Sequence, residues 1–233
     1  MNISILTPTY NRSKFLNLYL FYIKNQDYDH NLLEVIIDDD GSDPFITDIE
    51  TIKDFLSPIK LKYYRYKEKR SIGEKRNNLI NLSKNDVVCF MDDDDMYLPT
   101  YISHSYSILK NNNAELVGSK SMLFCFINED FKVRGGRCSK VTDIHEATIM
   151  MRRSCTSRFN NSSQGEGVHL INSLNSKESI AYTDIGRVMV CIVHDSNTIN
   201  KDYFNSDNMK LGINIIIDPS TKQMIEYYLL NNK

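Results

Sequence analysis

The sequence predicts an α/β protein with a mostly parallel central sheet between helical layers and a small antiparallel part toward the C-terminus. Three observations predict it. Strand-like and helix-like segments alternate through residues 1–110, the pattern of right-handed parallel crossovers. The apolar run Val87 to Met91 leads straight into four consecutive acids, Asp92 to Asp95, and reads as a buried strand ending in a charged turn. Beyond residue 111 the apolar runs are shorter, with turn signals such as Gly135-Gly136.

Taken in order, Asn2 to Leu6 is an apolar strand, and Thr7-Pro8-Thr9-Tyr10-Asn11-Arg12 turns off it. A helix follows over Ser13 to Asn25, where Phe15, Leu18, Tyr19, Tyr22 and Ile23 recur at helical spacing. Leu32 to Ile37 is a second strand, ending in Asp38-Asp39-Asp40-Gly41-Ser42-Asp43, with a helix from Pro44 to Leu56. Ile59 to Tyr66 supplies a third strand, Gly73 opens a helix to Leu82, and Val87 to Met91 is the fourth strand. A helix runs from Pro99 to Lys110. Glu115 to Asn128 is apolar and rich in β-formers, enough for one or two strands, and Asp130 to Arg137 is their hairpin return. Ala147 to Met151 is a short strand, Arg158 to Gly167 a polar loop, and Glu166 to Leu174 a helix. Ile180 to Tyr182 and Val188 to Val193 are expected to pair as a terminal hairpin that delivers His194. The tail from Lys201 has little pattern until a last helix over Thr221 to Leu230, and its aromatics Tyr203, Phe204, Tyr227 and Tyr228 suit a cover over the core or a partner. No repeat or linker divides the chain, so one domain is expected over 1–233.

Composition narrows the function. A hydrophobic content of 41% and a charged content of 25% are those of an ordinary globular protein. A formal net charge of −2 argues against nucleic acid as the main partner, because no basic excess exists to neutralise phosphates. No apolar stretch is long enough to span a bilayer, and Pro8, Asn11 and Arg12 break what would be a signal peptide's apolar core. The five cysteines (Cys89, Cys125, Cys138, Cys155 and Cys191) show no paired spacing and read as reduced thiols, so a cytoplasmic location is expected. No G-x-G-x-x-G follows the first strand and no G-x-x-x-x-G-K-[ST] occurs, which argues against a dehydrogenase or a P-loop enzyme.

The acid run is the chemical centre. Four carboxylates crowded at the end of a buried strand repel one another and stay ionised only beside a cation. Carboxylate oxygens suit Mg²⁺ or Mn²⁺. In open α/β sheets ligands bind at the carboxyl ends of strands, where this run lies.

Thr7-Pro8-Thr9-Tyr10-Asn11-Arg12, Asp39-Asp40-Gly41-Ser42, Arg76-Asn77 and Asp92-Asp93-Asp94-Asp95 occur in this order, each at a strand end or helix start. With these motifs the chain resembles the family 2 glycosyltransferases, well over residues 1–110 and loosely beyond. The resemblance implies a GT-A fold, with a nucleotide-sugar-binding half over 1–110 and an acceptor-binding half with a tail over 111–233. It implies that Pro8, Tyr10 and Arg12 form part of the nucleoside pocket, that Asp40 with Asp39 beside it accepts a hydrogen bond from the base, and that Arg76 contacts the nucleotide. A carboxylate suits the ring N–H of uracil, so a UDP-sugar is the expected donor. Asp38 stands where the family keeps an apolar residue. By the same resemblance Asp94 binds Mn²⁺ or Mg²⁺ directly, Asp92 and Asp93 hold ribose or metal-bound water, and His194 reaches the metal or the diphosphate. Asp95 is expected to cap the following helix. The family's segment that supplies the general base ends in Glu-Asp. Here Gly167 replaces the acid, which leaves Glu166 as the candidate base.

The implied reaction is sugar transfer from a nucleoside-diphosphate sugar to a hydroxyl of a glycan, glycoprotein or small molecule, with inversion. Three other readings compete. A nucleotidyltransferase wants a Gly-rich loop after the first strand, and Thr7 to Arg12 holds no glycine. A nucleotide-sugar-binding protein without turnover is left open by Gly167. A metal-dependent hydrolase does not account for the Asp39-Asp40-Gly41-Ser42 turn.

Overall fold

In the computed structural model, which describes residues 1–137, 144–174, 179–195, 197 and 217–230, Ile3–Thr9 (β1) lies inside a seven-stranded sheet. Its neighbours are Leu33–Asp39 (β2) on one side and Val87–Phe90 (β4) on the other, both parallel to it, and Lys60–Arg65 (β3) forms the edge beyond β2. Side chains alternate across the sheet as strand geometry requires. Ile3 and Ile5 enter one apolar layer with Leu16–Lys24 (α1), Ile49–Leu56 (α2) and Tyr101–Asn111 (α4), whereas Leu6 and Ile36 enter the other with Ile72–Leu82 (α3) and Glu166–Asn172 (α5). Helices thus cover both faces, which is why β4 is an unbroken apolar run and every residue of β2 is buried.

The remaining strands complete two sheets. Met150–Arg152 (β9) runs antiparallel between β4 and Leu116–Gly118 (β6), and Ile180–Tyr182 (β10) adds parallel to β6 at the far edge. A second, smaller sheet holds Met96–Tyr97 (β5), Met189–Val193 (β11), Ser121–Phe126 (β7) and Lys132–Arg137 (β8), with antiparallel β5–β11 and β7–β8 pairs around a parallel β11–β7 pair. The chain ends its described part with Pro219–Ile225 (α6), continued by a π turn over Glu226–Leu230.

The expected α/β architecture and the β7–β8 return are present. Three local expectations are corrected. The terminal hairpin does not form: β10 joins the large sheet and β11 the small one, because Asp184 caps a 3-10 turn at Ile185–Arg187 that redirects the chain between them. The second helix starts at Ile49 rather than Pro44, since the Phe45 N–H is drawn to Asp39 Oδ2 (2.8 Å) and Asp48 caps Thr51 instead. Asp95 caps no helix. It is buried and its Oδ1 accepts from the Ile192 N–H (3.2 Å), tying the acid turn to β11, while α4 begins only at Tyr101. Cys89, Cys125, Cys155 and Cys191 are free and buried. Cys138 and the tail over 201–216, with Tyr203 and Phe204, lie outside the described residues. Among the described residues no helix is long and apolar enough to cross a membrane.

Candidate active site

Because β1 lies between β2 and β4 while the chain visits them in another order, a crevice opens at their carboxyl ends, where ligands of such sheets bind. One cavity of about 230 Å³ is lined by Pro8, Thr9, Tyr10, Arg12, Lys69, Arg70, Ile72, Lys75, Arg76, Asp92, Asp93, Asp94 and Ser163. A second of about 500 Å³ adjoins it through Tyr10 and Lys69, and adds Asp40, Gly41, Ser42, Arg65, Tyr66 and Lys67. Together they are of the size that small-molecule sites occupy.

The three acids ending β2 point alternately to the two sides of the sheet, and each is satisfied. Asp39 accepts from the N–H groups of Gly41 (2.9 Å) and Phe45 (2.8 Å), from Tyr63 Oη (2.6 Å) and from Arg65 Nη1 (2.5 Å). Asp38 and Asp40 face α3. Asp38 pairs with Arg70 and Asn78, and burial raises its carboxyl above the usual range. Asp40 accepts from the Arg70 N–H (2.7 Å) and from Lys75 Nζ (2.6 Å), which also donates to Thr9 O (2.6 Å). Lys75 is only 3% exposed, so this is a desolvated ion pair at the floor of the pocket. The spacing of β3 explains its part: Tyr63 and Arg65, two apart, share the face that reaches Asp39.

The α3 segment does the joining. Ser71 and Glu74 form a reciprocal capping box at its start. Gly73 permits the loop 158–167 to lie directly against the helix, since a Cβ there would stand 1.8 Å from Asn160 O. Asn77 docks the same loop by donating to Phe159 O (2.9 Å) and accepting from its N–H (3.0 Å). Arg76, 3% exposed, packs its guanidinium 5.0 Å from the Phe90 ring and 5.7 Å from that of Phe159. Its Nη2 donates to Asp92 Oδ1 (3.0 Å) and Nε lies 3.4 Å from Glu166 Oε1. Burial opposes its charge, but Asp92, Glu166 and Glu146 outweigh that and hold it more firmly protonated than a free arginine. Its Nη1 is buried with no hydrogen-bond partner among the described residues.

The acid turn brings Asp92, Asp93 and Asp94 to the crevice. Tyr97 fixes it by accepting the Asp92 N–H (2.8 Å) and donating to Ala147 O (3.1 Å). Burial, then the charge of Asp94, lifts the Asp93 carboxyl well above its ordinary value, and its Oδ2 is buried without a partner among the described residues. Burial also raises Asp92, against the pull of Arg76. Asp94 is affected by burial in the same sense, yet the His194 hydrogen bond and the Arg12 charge more than offset it and leave it lowered. Arg12 Nη2 lies 3.4 Å and His194 Nε2 3.3 Å from Asp94 Oδ2, and the His194 ring rests on Phe15 with centroids 4.6 Å apart.

The structure therefore brings Pro8, Tyr10, Arg12, Asp40, Arg76, Asp92, Asp93, Asp94 and His194 to one crevice, with Glu166 behind Arg76. Asp39 is turned into its own hydrogen-bond knot and lines neither cavity. Lys69, Arg70, Lys75 and Ser163 line the site and Glu146 lies near Arg76 and Glu166 behind it; none was singled out from sequence. Lys75 had one signal available, a lysine between Gly73 and Arg76 on the face of α3 that points to the sheet.

The donors fit a hard divalent cation, because an unpartnered buried carboxylate oxygen on Asp93 and the Asp94–His194 pair adjoin an open pocket. Among the described residues no group of three or more His, Cys, Asp or Glu could hold a metal ion unaided. That arrangement suits Mg²⁺ or Mn²⁺, which are bound through one or two carboxylates plus substrate phosphates.

A parallel sheet with its switch point at β1, an acid turn after β4 and helices on both faces define a GT-A glycosyltransferase domain. The sequence profile of glycosyl transferase family 2 matches residues 4–155, and the chain belongs to that family. Among curated relatives, poly(ribitol-phosphate) beta-N-acetylglucosaminyltransferase TarP of Staphylococcus aureus (strain N315) is 27% identical over 118 residues, 51% of this chain and 36% of that protein. Chondroitin synthase of Escherichia coli is 32% identical over 125 residues, 52% of this chain and 18% of that protein. This chain therefore spans only a minor part of the length of either. Among solved structures, the mannosyltransferase PcManGT of Pyrobaculum calidifontis in complex with GDP-Man and Mn²⁺ superposes with a TM-score of 0.67 at 16% identity, over 84% of this chain and 58% of that one. S. aureus TarS 1-349 in complex with UDP-GlcNAc superposes with a TM-score of 0.61 at 16% identity, over 99% and 67%.

Proposed function

We propose that the protein is a metal-dependent glycosyltransferase that moves a sugar from a nucleoside-diphosphate sugar, a UDP-sugar first, to an acceptor hydroxyl with inversion. The observation that carries this is the convergence of the β1, β2 and β4 ends on one crevice, where Asp92, Asp93 and Asp94 meet Arg12, Arg76 and Lys75. Neighbours of the same fold are complexes with UDP-GlcNAc and with GDP-Man and Mn²⁺, which supports a nucleotide sugar and a divalent cation here.

On this reading Tyr10 and Pro8 wall the nucleoside pocket. Asp40 keeps lone pairs free beyond those used by Lys75 and Arg70, and Lys75 keeps one N–H. An ionised acceptor next to a donor matches the N–H and carbonyl of an imide such as uracil. Asp39 then acts indirectly, by holding the turn that presents Asp40. Asp94 with His194 would hold Mn²⁺ or Mg²⁺, and Asp92 and Asp93 the ribose or metal-bound water. Bound there, the cation supplies Lewis-acid stabilisation of the leaving diphosphate. Arg12 and Arg76 add fixed positive charge along the phosphates, and a carboxylate at the Glu166 end of the crevice takes the acceptor proton, help typically worth about 10²–10⁴-fold in rate.

The test is a thermal-shift series of UDP, GDP and CDP with and without Mn²⁺, followed by sugar release from UDP-GlcNAc, UDP-glucose and GDP-mannose. A ligand at about 100 times its Kd stabilises the fold by about 2.7 kcal/mol. UDP with Mn²⁺ is expected to exceed either alone, and Asp94→Asn to remove the difference. Binding without any sugar release would favour a nucleotide-sugar-binding protein, the reading that the absent side chain at Gly167 keeps alive.

A further inference from the structure

Position 167 carries no side chain, and the space beside it is filled from another part of the chain. A Cβ on Gly167 would stand 2.7 Å from both Cγ and Oε1 of Glu146. Glu146 opens a 3-10 turn, Glu146–Thr148, just before β9, and its Oε1 accepts from the Gly167 N–H (3.3 Å). The turn is firmly held. His145 N–H donates to Ser119 O (3.0 Å), Thr148 Oγ1 donates to His145 O (2.7 Å), and Ala147 O accepts from the same Tyr97 hydroxyl that receives the Asp92 N–H. The charged groups facing the Glu146 carboxylate are Glu166 from α5 and Arg76 from α3, with Asp92 on the far side of that guanidinium. Glu146 is thus in the same corner as the acid turn, although it is 54 residues from Asp92 in sequence.

The two glutamates differ in what they are free to do. Glu166 is 6% exposed and lies against Arg76 Nε at 3.4 Å. Glu146 is less buried than Glu166, and among the described residues its carboxylate is met only by backbone N–H groups, that of Gly167 at Oε1 (3.3 Å) and its own. Burial, then the charge of Glu166, raises the Glu146 carboxyl above its ordinary value, while its own backbone N–H, the Arg76 charge and the Gly167 N–H pull it back. A proton acceptor works best when accessible to the substrate and when its affinity for the proton is raised toward the working pH.

We infer that Glu146, occupying the room that Gly167 leaves, is the carboxylate that takes the acceptor proton, and that Glu166 is a positioning residue that orients Arg76. The inference rests on the glycosyl-transfer reading. In the step, the acceptor O–H proton passes to a Glu146 oxygen as the acceptor oxygen bonds to the anomeric carbon. The bond from that carbon to the diphosphate oxygen breaks, its electron pair leaving with the nucleoside diphosphate, and Glu146 then returns the proton to water.

The experiment compares the full chain with Glu146→Gln, Glu146→Asp, Glu166→Gln, Glu146→Ala and the swap Glu146→Ala/Gly167→Asp. Sugar release or transfer from UDP-GlcNAc, UDP-glucose and GDP-mannose with Mn²⁺ is measured beside the Kd for UDP, which reports an intact fold. Glu146→Gln should lower kcat by about 10²–10⁴-fold with the UDP affinity kept. Glu146→Asp should retain part of the activity, and the swap should recover at least roughly tenfold over Glu146→Ala by returning a carboxylate to the same space. Glu166→Gln should instead raise the donor KM more than it lowers kcat, because Arg76 loses its partner. Glu146→Gln turning over within a few-fold of the wild type would overturn the assignment while leaving the transferase reading intact. A wild type that binds UDP yet releases sugar from no donor would overturn the transferase reading, and the assignment with it.

Discussion

Replacing Lys75 by methionine removes the cation from a pair in which both side chains are almost wholly buried, Lys75 at 3% and Asp40 at 0% side-chain exposure. Methionine matches the lysine stem in volume, so the packing of α3 on β1 changes little and the electrostatic loss dominates. What remains is a carboxylate with the Arg70 N–H as its only donor among the described residues, together with Thr9 O stripped of the Nζ contact. Breaking a buried pair from one side costs about 3–5 kcal/mol, because the surviving charge has no compensation. For a chain of this length, that corresponds to a fall in Tm of roughly 6–20 °C. The pair is separated from its surroundings by a double variant: Asp40→Asn keeps an oxygen for the Arg70 N–H but removes the charge, so Lys75→Met/Asp40→Asn should recover most of the loss. Urea titration followed by far-UV circular dichroism reads all three variants. A Lys75→Met cost below about 1 kcal/mol, in the range of an exposed pair, would refute the view that this lysine neutralises a dry carboxylate.

Other expectations follow from single contacts. Gly73→Ala drives a methyl into Asn160 O and should cost about 1–3 kcal/mol, with protease cleavage in 158–167 as the direct readout of a detached loop. Arg76→Lys cannot span Asp92 and Glu166 at once, so it should cost about 3–5 kcal/mol by denaturant titration and weaken UDP binding measured by calorimetry. Asp218 caps α6 through the Thr221 N–H (3.0 Å) and the Ser220 and Thr221 hydroxyls, which bring its pKa down to about 2. Its capping contribution is therefore present above the ordinary carboxylate pKa and is lost as the pH falls through about 2. Asp218→Ala should cost about 0.5–2 kcal/mol near neutrality, and the difference from the wild type should shrink in acid.

How much of this was legible beforehand depended on whether the information was local. Strands β1 to β4 and the helices between them are written in runs of apolar residues and in capping residues, so their order could be read directly. The crevice was legible for the same reason, since acids after β2 and β4 must lie at strand ends that the parallel pattern brings together. What failed depended on partners distant in sequence. Ile180–Tyr182 and Met189–Val193 look like two halves of a hairpin, and only the edge offered by β6 and the gap between β5 and β7 send them to different sheets. Asp95 looks like a cap because a helix follows, but the Ile192 N–H claims it from 97 residues away. Asp38 looked superfluous to the family pattern, and its use is visible only once Arg70 and Asn78 fold back over it. Glu146 sits in front of an apolar strand with no motif around it, and its place beside the empty position 167 shows only in the folded chain.

The hydroxyl of Tyr97 links the acid turn to the 146–148 turn, taking the Asp92 amide on one side and giving its proton to the Ala147 carbonyl on the other. It behaves as a strut between the acid turn and the turn that carries Glu146. On the proposed glycosyl-transfer reading, re-seating this phenol would move the acid turn and Glu146 together, so donor fit and the position of the proposed proton acceptor would change as one.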